Sequence, residues 1–376
     1  MTEIYIGLMS GTSLDGIDAA LVEFDNDNIR LLDFYYHPFS ADLRQHIQRL
    51  SLPNQPVLLN QLGEMDAKLG AIFADTAIRL IEKAKVDSSE ILAIGSHGQT
   101  IYHAPDGPHG FSIQIGDPNR IATITGITTI SDFRRRDIAN GGQGAPLVPA
   151  FHQAIFSEPQ NIITILNIGG IANISILKDN QALGFDTGPG NTFIDYWCQL
   201  QLNIPYDANG AWSSQGNVNT GLLTHLLDDA YFELAPPKST GKEYFSPAWL
   251  KQKLAAFPNC SAVDVQATLC ELTSRSIANA IIEHAANSQK ILVCGGGTHN
   301  QQLMTSLTRH IPAPVISTET FNIHPDHVEA MAFAWLARQT LNHLPGNLCS
   351  VTGARAPAVL GGIYPGHQGL HRNKKD

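Results

Sequence analysis

The spacing of apolar positions predicts two similar β-rich segments, one at the start of the chain and one near its middle. In each segment a glycine-rich turn joins the first two strands, and a turn rich in Asp, Asn or Lys joins the next two. Sequence identity between the segments is low, so the repeat is one of architecture. The predicted strands are Ile4–Met9, Ile17–Phe24 and Ile29–Tyr36 in the first segment, and Ile162–Ile168, Ile171–Leu177 and Leu183–Asp186 in the second.

Helices and further strands complete an α/β pattern. Apolar residues recur near a 3.6-residue period over residues 58–80, 265–281 and 328–341, which predicts three helices. Two short buried strands, Ile91–Ile94 and Ile291–Cys294, lead directly into glycine-containing segments. Residues 203–247 have weak periodicity and are interpreted as an irregular insertion. We expect an N-terminal domain over residues 1–130 and a C-terminal domain over 131–376, facing a cleft. The extreme C-terminus could also pack back on the first domain.

Composition and charge exclude several classes of function. The 376 residues carry a net charge of −10, which argues against partners that need a basic face, namely nucleic acid and anionic membrane. No apolar run approaches the ~18–20 residues of a membrane helix, and no signal peptide is visible at the start of the sequence. Five cysteines without a CxxC pair argue against a disulfide framework or a zinc site, and favour the cytoplasm.

The first glycine-rich turn is the best candidate for anion binding. Glycines and hydroxyl residues in one loop can point several N–H and O–H groups at a phosphate, and Asp15 could hold Mg²⁺ through water. The alternative is an ordinary hairpin turn, although a tight hairpin needs only about two turn residues. The candidate phosphate-binding residues are Gly7, Met9, Ser10, Gly11, Thr12, Ser13, Asp15 and Gly16.

Two further glycine-rich turns follow buried strands. The turn after the strand at residues 162–168 is equivalent in position to the first loop. Alone it is better explained as a plain β-turn, but paired with the first loop it becomes a candidate second phosphate site. The triple glycine after Cys294 would let a flat ligand lie against the backbone, and a loose strand–helix turn is the alternative. The candidate nucleotide-binding residues are Asn167, Gly169, Gly170, Gly295, Gly296, Gly297 and Asn300.

Polar residues beside other turns are candidates for contact with a substrate. Asp186 ends a strand before a Gly/Pro turn, which is a good way to expose a carboxylate, although it could equally be a cap or turn residue. One arginine of the run at residues 134–136 could bind substrate, while the others are expected to be solvated. His97 and Gln99 are candidate substrate ligands, as is His103, against the alternative of ordinary loop residues.

Several familiar catalytic motifs are missing. Lys242 lacks the upstream glycine of a P-loop, and Glu243 follows it where Ser or Thr would be required. The sequence contains no dinucleotide-binding G-x-G-x-x-G, no G-x-S-x-G elbow and no H-E-x-x-H motif.

As a set, the motifs resemble those of the anhydro-N-acetylmuramic acid kinase family over residues 5–364. Each motif alone is weak, but residues 9–13 (Met-Ser-Gly-Thr-Ser) together with residues 185–189 (Phe-Asp-Thr-Gly-Pro) are specific. The segments that carry the resemblance are residues 7–18, 96–105, 131–149, 167–175, 184–191, 236–243, 295–300 and 329–334.

The resemblance implies a fold and a reaction. The family belongs to the superfamily of actin, sugar kinases and heat-shock chaperone ATPases, which implies two ribonuclease-H-like domains flanking an interdomain cleft. It implies ATP, Mg²⁺, a homodimer and a cytoplasmic role in cell-wall recycling. It further implies that water opens a 1,6-anhydro sugar while O6 is phosphorylated. Asp186 would activate the water, and Arg134 and Glu329 would lie at the sugar.

Two other functions remain open from the sequence. An ordinary sugar kinase would use Asp186 to deprotonate a hydroxyl and would break no bond to carbon. An actin-like or chaperone ATPase would turn over ATP without sugar and bind a partner peptide, although the sequence offers no extra interaction domain.

Overall fold

A computed structural model describes residues 2–11, 14–25, 28–52, 56–158, 160–179, 181–236, 238–241, 244–321 and 323–367. The strands within these residues are β1 (Glu3–Ser10), β2 (Gly16–Asp25), β3 (Asn28–Pro38), β4 (Ile91–Ala104), β5 (Phe111–Ile115), β6 (Thr129–Ser131), β7 (Ile163–Ile168), β8 (Ile171–Lys178), β9 (Gln181–Pro189), β10 (Lys290–Cys294), β11 (Val315–Ser317) and β12 (Gly362–Tyr364).

The α-helices assigned to the same ranges are α1 (Ala41–Leu50), α2 (Leu59–Ala84), α3 (Pro118–Thr125), α4 (Arg135–Ala139), α5 (Val148–Phe156), α6 (Thr192–Leu202), α7 (Thr220–Leu227), α8 (Pro247–Leu254), α9 (Ala262–His284), α10 (Gln301–His310), α11 (Val328–Leu341) and α12 (Cys349–Thr352). No helix of the described residues is both long enough and apolar enough to cross a membrane.

The chain divides into two compact units, residues 1–151 with 327–376 (unit 1) and residues 152–326 (unit 2). This division differs from the boundary expected after residue 130. Residues 131–151 stay with unit 1 because the buried Asp137 carboxylate accepts hydrogen bonds from Asn347 and Thr352. The chain also returns to unit 1 at its C-terminal end, where α11 packs on β1 and β4 and β12 pairs with β6.

Unit 1 is built on a mixed sheet in the order β12-β6-β4-β1-β2-β3, with β5 paired to the distal part of β4. The three strands β1, β4 and β6 are parallel, whereas β2 runs antiparallel to both β1 and β3. Helix α2 covers the sheet with Leu69, Phe73, Ala77 and Leu80, which are fully buried. These contacts bury the apolar stripe that predicted the helix.

Unit 2 repeats this arrangement. Its sheet has the order β11-β10-β7-β8-β9, with β7, β10 and β11 parallel and β8 antiparallel to both of its neighbours. If β5 of unit 1 is left out, the first five strands along the chain in each unit therefore have the same order and the same relative directions. This is the ribonuclease-H-like arrangement. The architectural repeat and the α/β fold predicted from the sequence are confirmed.

The interpretation of residues 203–247 as an irregular insertion is wrong in part. This segment contains α7, and its apolar residues Leu222, Leu226, Tyr231 and Phe245 are buried in the core of unit 2. The helical period was hard to recognise because α7 has only eight residues and turn-forming residues precede and follow it.

Candidate functional site

The first glycine-rich loop joins the ends of β1 and β2 in unit 1. Its described residues include Gly11 and Asp15, while Thr12 and Ser13 lie outside the described residues. The Ser10 hydroxyl is buried and lies 2.8 Å from the Gly16 carbonyl oxygen and 2.7 Å from Gln99 Oε1. These contacts fix the base of the loop to the end of β4.

Two of the candidate phosphate-binding residues are buried by packing within unit 1. Gly7 is buried within β1, and a Cβ atom there would lie 1.8 Å from the Ala330 carbonyl oxygen of α11. The close packing of α11 on β1 therefore requires a residue without a side chain at this position. Met9 is also buried, with 9% of its surface exposed. The sequence could not separate these residues from the loop proper, because a glycine needed for packing and one needed for ligand approach look alike.

His97, at the middle of β4, contacts Arg134. Arg134 Nε and Nη2 lie 3.2 and 2.9 Å from His97 Nε2, and His97 Nδ1 lies 2.8 Å from the Gly98 carbonyl oxygen. Burial and the positive charge of Arg134 lower the pKa of His97 to about 3. Gln99 is fully buried, and its Nε2 donates to the Thr100 carbonyl. Both side chains are thus held by protein groups.

Arg134 differs from the two arginines that follow it. It is partly buried, its Nη1 donates to the Gly144 carbonyl at 2.8 Å, and burial lowers its pKa to about 10 against the attraction of Glu329. Arg135 is exposed and forms an ion pair with Asp132 at 2.7 Å, and Arg136 is exposed as well. The structure thus brings the candidate Arg134 into the same part of unit 1 as His97 and the half-buried Glu329.

His103 lies on the exposed distal part of β4. Its Nδ1 is 2.9 Å from the Ser112 hydroxyl of β5, the strand that pairs with β4 there. This contact belongs to the strand pair, and burial and the positive charge of Arg134 lower the pKa of His103.

In unit 2 the second glycine-rich loop is braced by the start of α6. The Gly169 carbonyl accepts a hydrogen bond from the Asn191 N–H, and the Gly170 carbonyl accepts from the Gly190 N–H, both at 2.8 Å. A Cβ atom at Gly190 would lie 2.4 Å from the Gly169 carbonyl oxygen. The loop predicted near Asn167 and the turn after Asp186 are therefore one packed structure.

The triple glycine packs against the same loop. A Cβ atom at Gly295 would lie 2.4 Å from Asn167 Oδ1, and one at Gly297 would lie 2.3 Å from an Ile168 side-chain carbon. Gly296 is exposed, and apart from its chain neighbours no atom of the described residues lies within 4 Å of an added Cβ. Close packing explains the outer two glycines, and only the middle one offers its backbone to a ligand.

Asn300 has a structural contact. It is buried and caps α10, because its Oδ1 accepts from the Leu303 N–H at 3.0 Å. An open groove of about 570 Å³ lies beside this helix. The residues lining the groove are Thr298, Gln301, Met304, Thr305, Thr308, Arg309 and Val315.

Asp186, on β9, is positioned by residues of the weakly periodic segment 203–247. Its Oδ2 accepts from the Thr240 N–H at 2.9 Å, and its backbone carbonyl accepts from the Tyr231 hydroxyl at 2.8 Å. Burial and the Asp186 carboxylate raise the pKa of Tyr231. Lys238 donates to the Tyr231 carbonyl at 3.2 Å, and its Nζ lies 4.9 Å from the centre of the Tyr231 ring.

Sequence reasoning missed Tyr231, Lys238 and Thr240 as supports of Asp186. The one available signal was the segment at residues 236–243, which carried part of the family resemblance. Within each unit, then, motifs far apart in sequence come together. In unit 1 these are the first loop, the end of β4, Arg134 and Glu329, and in unit 2 they are the second loop, Asp186 and the triple glycine.

Two sheets of one strand order, each with a glycine-rich first hairpin, define the chain as an α/β protein of ribonuclease-H-like architecture. A family model described as anhydro-N-acetylmuramic acid kinase matches residues 3–366. The chain therefore belongs to the anhydro-N-acetylmuramic acid kinase family, and it is a kinase whose acceptor is an alcohol group of a sugar.

Individual relatives carry the same description. The anhydro-N-acetylmuramic acid kinase of Vibrio cholerae serotype O1 is 50% identical over 365 residues, covering 96% of this chain and 98% of the relative. That of Coxiella burnetii is 49% identical over 370 residues, covering 97% and 98%. Among solved structures, the activator of the 2-hydroxyisocaproyl-CoA dehydratase from Clostridium difficile with bound ADPNP has a TM-score of 0.47 and 12% identity, covering 91% and 98%.

Proposed function

We propose that this kinase uses ATP to phosphorylate O6 of 1,6-anhydro-N-acetylmuramic acid while water opens the anhydro ring. The products are N-acetylmuramate 6-phosphate and ADP. Family membership over residues 3–366 and relatives at about 50% identity support this substrate. The observation that carries the catalytic assignment is the Asp186 carboxylate, which the Thr240 N–H holds in one orientation at 2.9 Å.

One carboxylate is enough for this chemistry. An inverting glycosidase uses one carboxylate to activate water and a second acid to protonate the leaving oxygen. Here the departing O6 is captured by the γ-phosphoryl group, which replaces the acid. Asp186 takes a proton from the water as that water attacks the anomeric carbon. The fixed orientation of the carboxylate lowers the cost of aligning base and water.

Arg134 and Glu329 bind the sugar in this proposal. The substrate carries a carboxylate, which a guanidinium can hold through two N–H groups, and it carries one free hydroxyl and an amide N–H that can donate to Glu329. The electrostatic attraction between Arg134 and Glu329 supports a shared location for the two groups in unit 1. His97 and Gln99 support the site through their contacts with Arg134 and Ser10.

The glycine-rich loops bind ATP in this proposal. The loop at residues 10–16 and the loop at Gly169–Gly170 offer backbone N–H groups to the phosphates. The exposed Gly296 and the neighbouring groove along α10 offer room for the adenosine. Asn167 packs against Gly295 and Asn300 caps α10, so both residues stabilise the conformation of these segments.

The carboxylates near the first loop fit Mg²⁺. Asp15 is exposed, and burial together with the negative charges of Asp15 and Asp18 raises the pKa of the Tyr36 hydroxyl to about 12. Mg²⁺ in kinases takes one or two carboxylates and fills its other positions with water and phosphate. We propose that Asp15 holds the ion through water. When bound, Mg²⁺ would neutralise phosphate charge.

We further propose that the enzyme acts in the cytoplasm as a homodimer, in cell-wall recycling. Its five cysteines are all free thiols, which suits a reducing compartment. The homodimer and the pathway rest on the family resemblance.

The assignment of Asp186 is tested by Asp186→Asn. The change keeps the shape of the side chain and an acceptor for the Thr240 N–H, but it removes the base. We expect kcat to fall by about 10²–10⁴-fold, with ATP affinity nearly unchanged. Steady-state kinetics and ATP titration measure the two quantities.

Asp179→Asn is the matched control, since Asp179 is exposed in the turn between β8 and β9. It should keep the activity of the parent enzyme. If Asp186→Asn keeps more than about a tenth of the parent rate, Asp186 is not the base.

A further inference from the structure

We infer that His97 is a positioning residue for the sugar site: as a neutral hydrogen-bond acceptor, it holds the guanidinium of Arg134 in its binding orientation. The inference rests on the proposed role of Arg134 at the sugar. It replaces the expectation that His97 contacts the substrate directly. Three observations carry it, namely the tautomer of His97, the number of Arg134 donors in use and the fixed surroundings of both side chains.

The partners of His97 determine its tautomer. A guanidinium can only donate, so the contacts of 3.2 and 2.9 Å from Arg134 Nε and Nη2 require His97 Nε2 to accept. The ring proton is then on Nδ1, where the Gly98 carbonyl oxygen lies 2.8 Å away and accepts it. A charged imidazolium would place an N–H against the guanidinium and break this arrangement. Both ring nitrogens are therefore used by the protein.

The same contacts determine which Arg134 donors are in use. Two of its five N–H groups point to His97, and a third, on Nη1, donates to the Gly144 carbonyl at 2.8 Å. One N–H on each terminal nitrogen lies outside this set. Arginine binds two oxygen atoms of a ligand at once through N–H groups on its two terminal nitrogens.

Both anchors of Arg134 are themselves fixed. The His97 ring is buried and packs against the Phe333 ring of α11, with 4.8 Å between ring centres. The Gly144 N–H donates to the buried Asp137 carboxylate at 2.8 Å. Arginine has four side-chain torsions, and holding them before the sugar arrives removes an ordering cost from binding. Loss of the His97 acceptor should therefore weaken sugar binding without affecting ATP.

Two variants of His97 separate the acceptor from the ring. Asparagine can place an N–H near the position of Nδ1 and keep the bond to Gly98, but it has no acceptor at Nε2. Glutamine can place its amide oxygen near the position of Nε2. We expect His97→Asn to raise the KM for 1,6-anhydro-N-acetylmuramic acid about 10–100-fold, with the KM for ATP within about twofold. His97→Gln should recover most of this loss.

A double-mutant cycle with Arg134→Gln gives the decisive comparison. If His97 acts through Arg134, adding His97→Asn to Arg134→Gln should not raise the sugar KM further. An equal effect of His97→Asn in both backgrounds would overturn the inference and leave the proposed function standing. An unchanged sugar KM in Arg134→Gln alone would instead remove Arg134 from the sugar site.

Two further measurements complete the test. The pH dependence of kcat/KM between pH 5.5 and 8.5 should be the same for His97→Gln and the parent enzyme, because His97 stays neutral. If the parent's kcat/KM falls at one end of this pH range and that of the variant does not, His97 titrates in the reaction and the inference is overturned. His109→Asn, at an exposed position after β4, controls for histidine replacement. If His97→Asn does not fold, His97→Met takes its place in the cycle, because methionine fills similar space without a good acceptor.

Discussion

At the scale of single residues, two glycines of the candidate ligand-binding motifs have opposite surroundings. Gly7 and Gly296 both lie in predicted ligand-binding motifs, yet Gly7 is buried against α11 and Gly296 is open. The atom that makes Gly7 necessary belongs to Ala330, more than 300 residues later in the chain. Local patterns carry no information about such a contact, so the sequence alone could not separate the two roles.

Buried histidines predict how the stability of unit 2 responds to acid. His152 is fully buried, its Nδ1 lies 3.2 Å from the Ser175 hydroxyl, and burial lowers its pKa to about 3. The unfolded chain binds a proton at this residue below about pH 6.5, whereas the folded chain stays neutral down to about pH 3. Stability should therefore fall as the pH falls through this range.

The contribution of His152 can be measured with His152→Gln, which cannot titrate. Between pH 7.5 and 5.5 the parent protein should lose about 1.4 kcal/mol more stability than the variant. Urea unfolding followed by circular dichroism at the two pH values gives the difference. Equal losses in the parent and in His152→Gln would mean that His152 is not neutral in the folded state.

At the scale of elements, the longest periodic stretches and the buried strand β10 were predictable, whereas several helices and the three-residue strands were not. The three strands that open each unit and the helices α2, α9 and α11 were predicted, because each buries a regular apolar pattern. Strands β6, β11 and β12 have three residues each, too few for any period to appear. Helix α7 was missed for the same reason. These short elements owe their form to pairing and packing with distant parts of the chain.

The packing of α11 on the sheet predicts a large stability effect at Gly7. An alanine Cβ there would lie 1.8 Å from the Ala330 carbonyl oxygen and 2.6 Å from the Ala334 nitrogen. Both are backbone atoms, so the whole helix must move. We expect Gly7→Ala to lower the free energy of unfolding by about 3 kcal/mol or to prevent folding. Urea unfolding of purified protein is the measurement.

Gly296→Ala is the matched comparison, since within the described ranges an added Cβ would meet no atom closer than 4 Å beyond its chain neighbours. Its stability should stay within about 0.5 kcal/mol of the parent, and if Gly296 faces the adenosine, the KM for ATP should rise. A stable Gly7→Ala protein with weakened ATP binding would indicate that Gly7 binds phosphate and would contradict its role in packing.

At the scale of the whole molecule, the repeat and a return of the C-terminus to the first domain were predictable, whereas the extent of that return was not. Two segments of similar pattern predicted two similar sheets, and the five strands of the second sheet have the same order as five strands of the first. The return of residues 327–376 to unit 1 depends on contacts of α11 and β12 with strands more than 200 residues earlier. The candidate site divides in the same way: its motifs were visible one by one, whereas their grouping within each unit required the fold.

The reaction of the whole enzyme predicts where a new oxygen atom goes. If Asp186 activates water against the anomeric carbon while O6 takes the phosphoryl group, a short reaction in ¹⁸O-water should label C1 and leave the phosphate ester unlabelled. Mass spectrometry of the sugar phosphate and its fragments locates the label. Reducing sugars also exchange their C1 oxygen with water, so unlabelled N-acetylmuramate 6-phosphate incubated alone for the same time is the control.

The two competing functions predict other distributions of the label. An ordinary sugar kinase would transfer phosphate to a hydroxyl, keep the anhydro ring closed and leave the sugar unlabelled. A nucleotide-driven binding module would hydrolyse ATP and place ¹⁸O in inorganic phosphate. Ring opening by inversion also requires a single anomer as the first product, which a rapid NMR measurement can detect before mutarotation. Labelled free phosphate beside an intact anhydro ring would rule out Asp186 as the base of a coupled hydrolysis and phosphorylation.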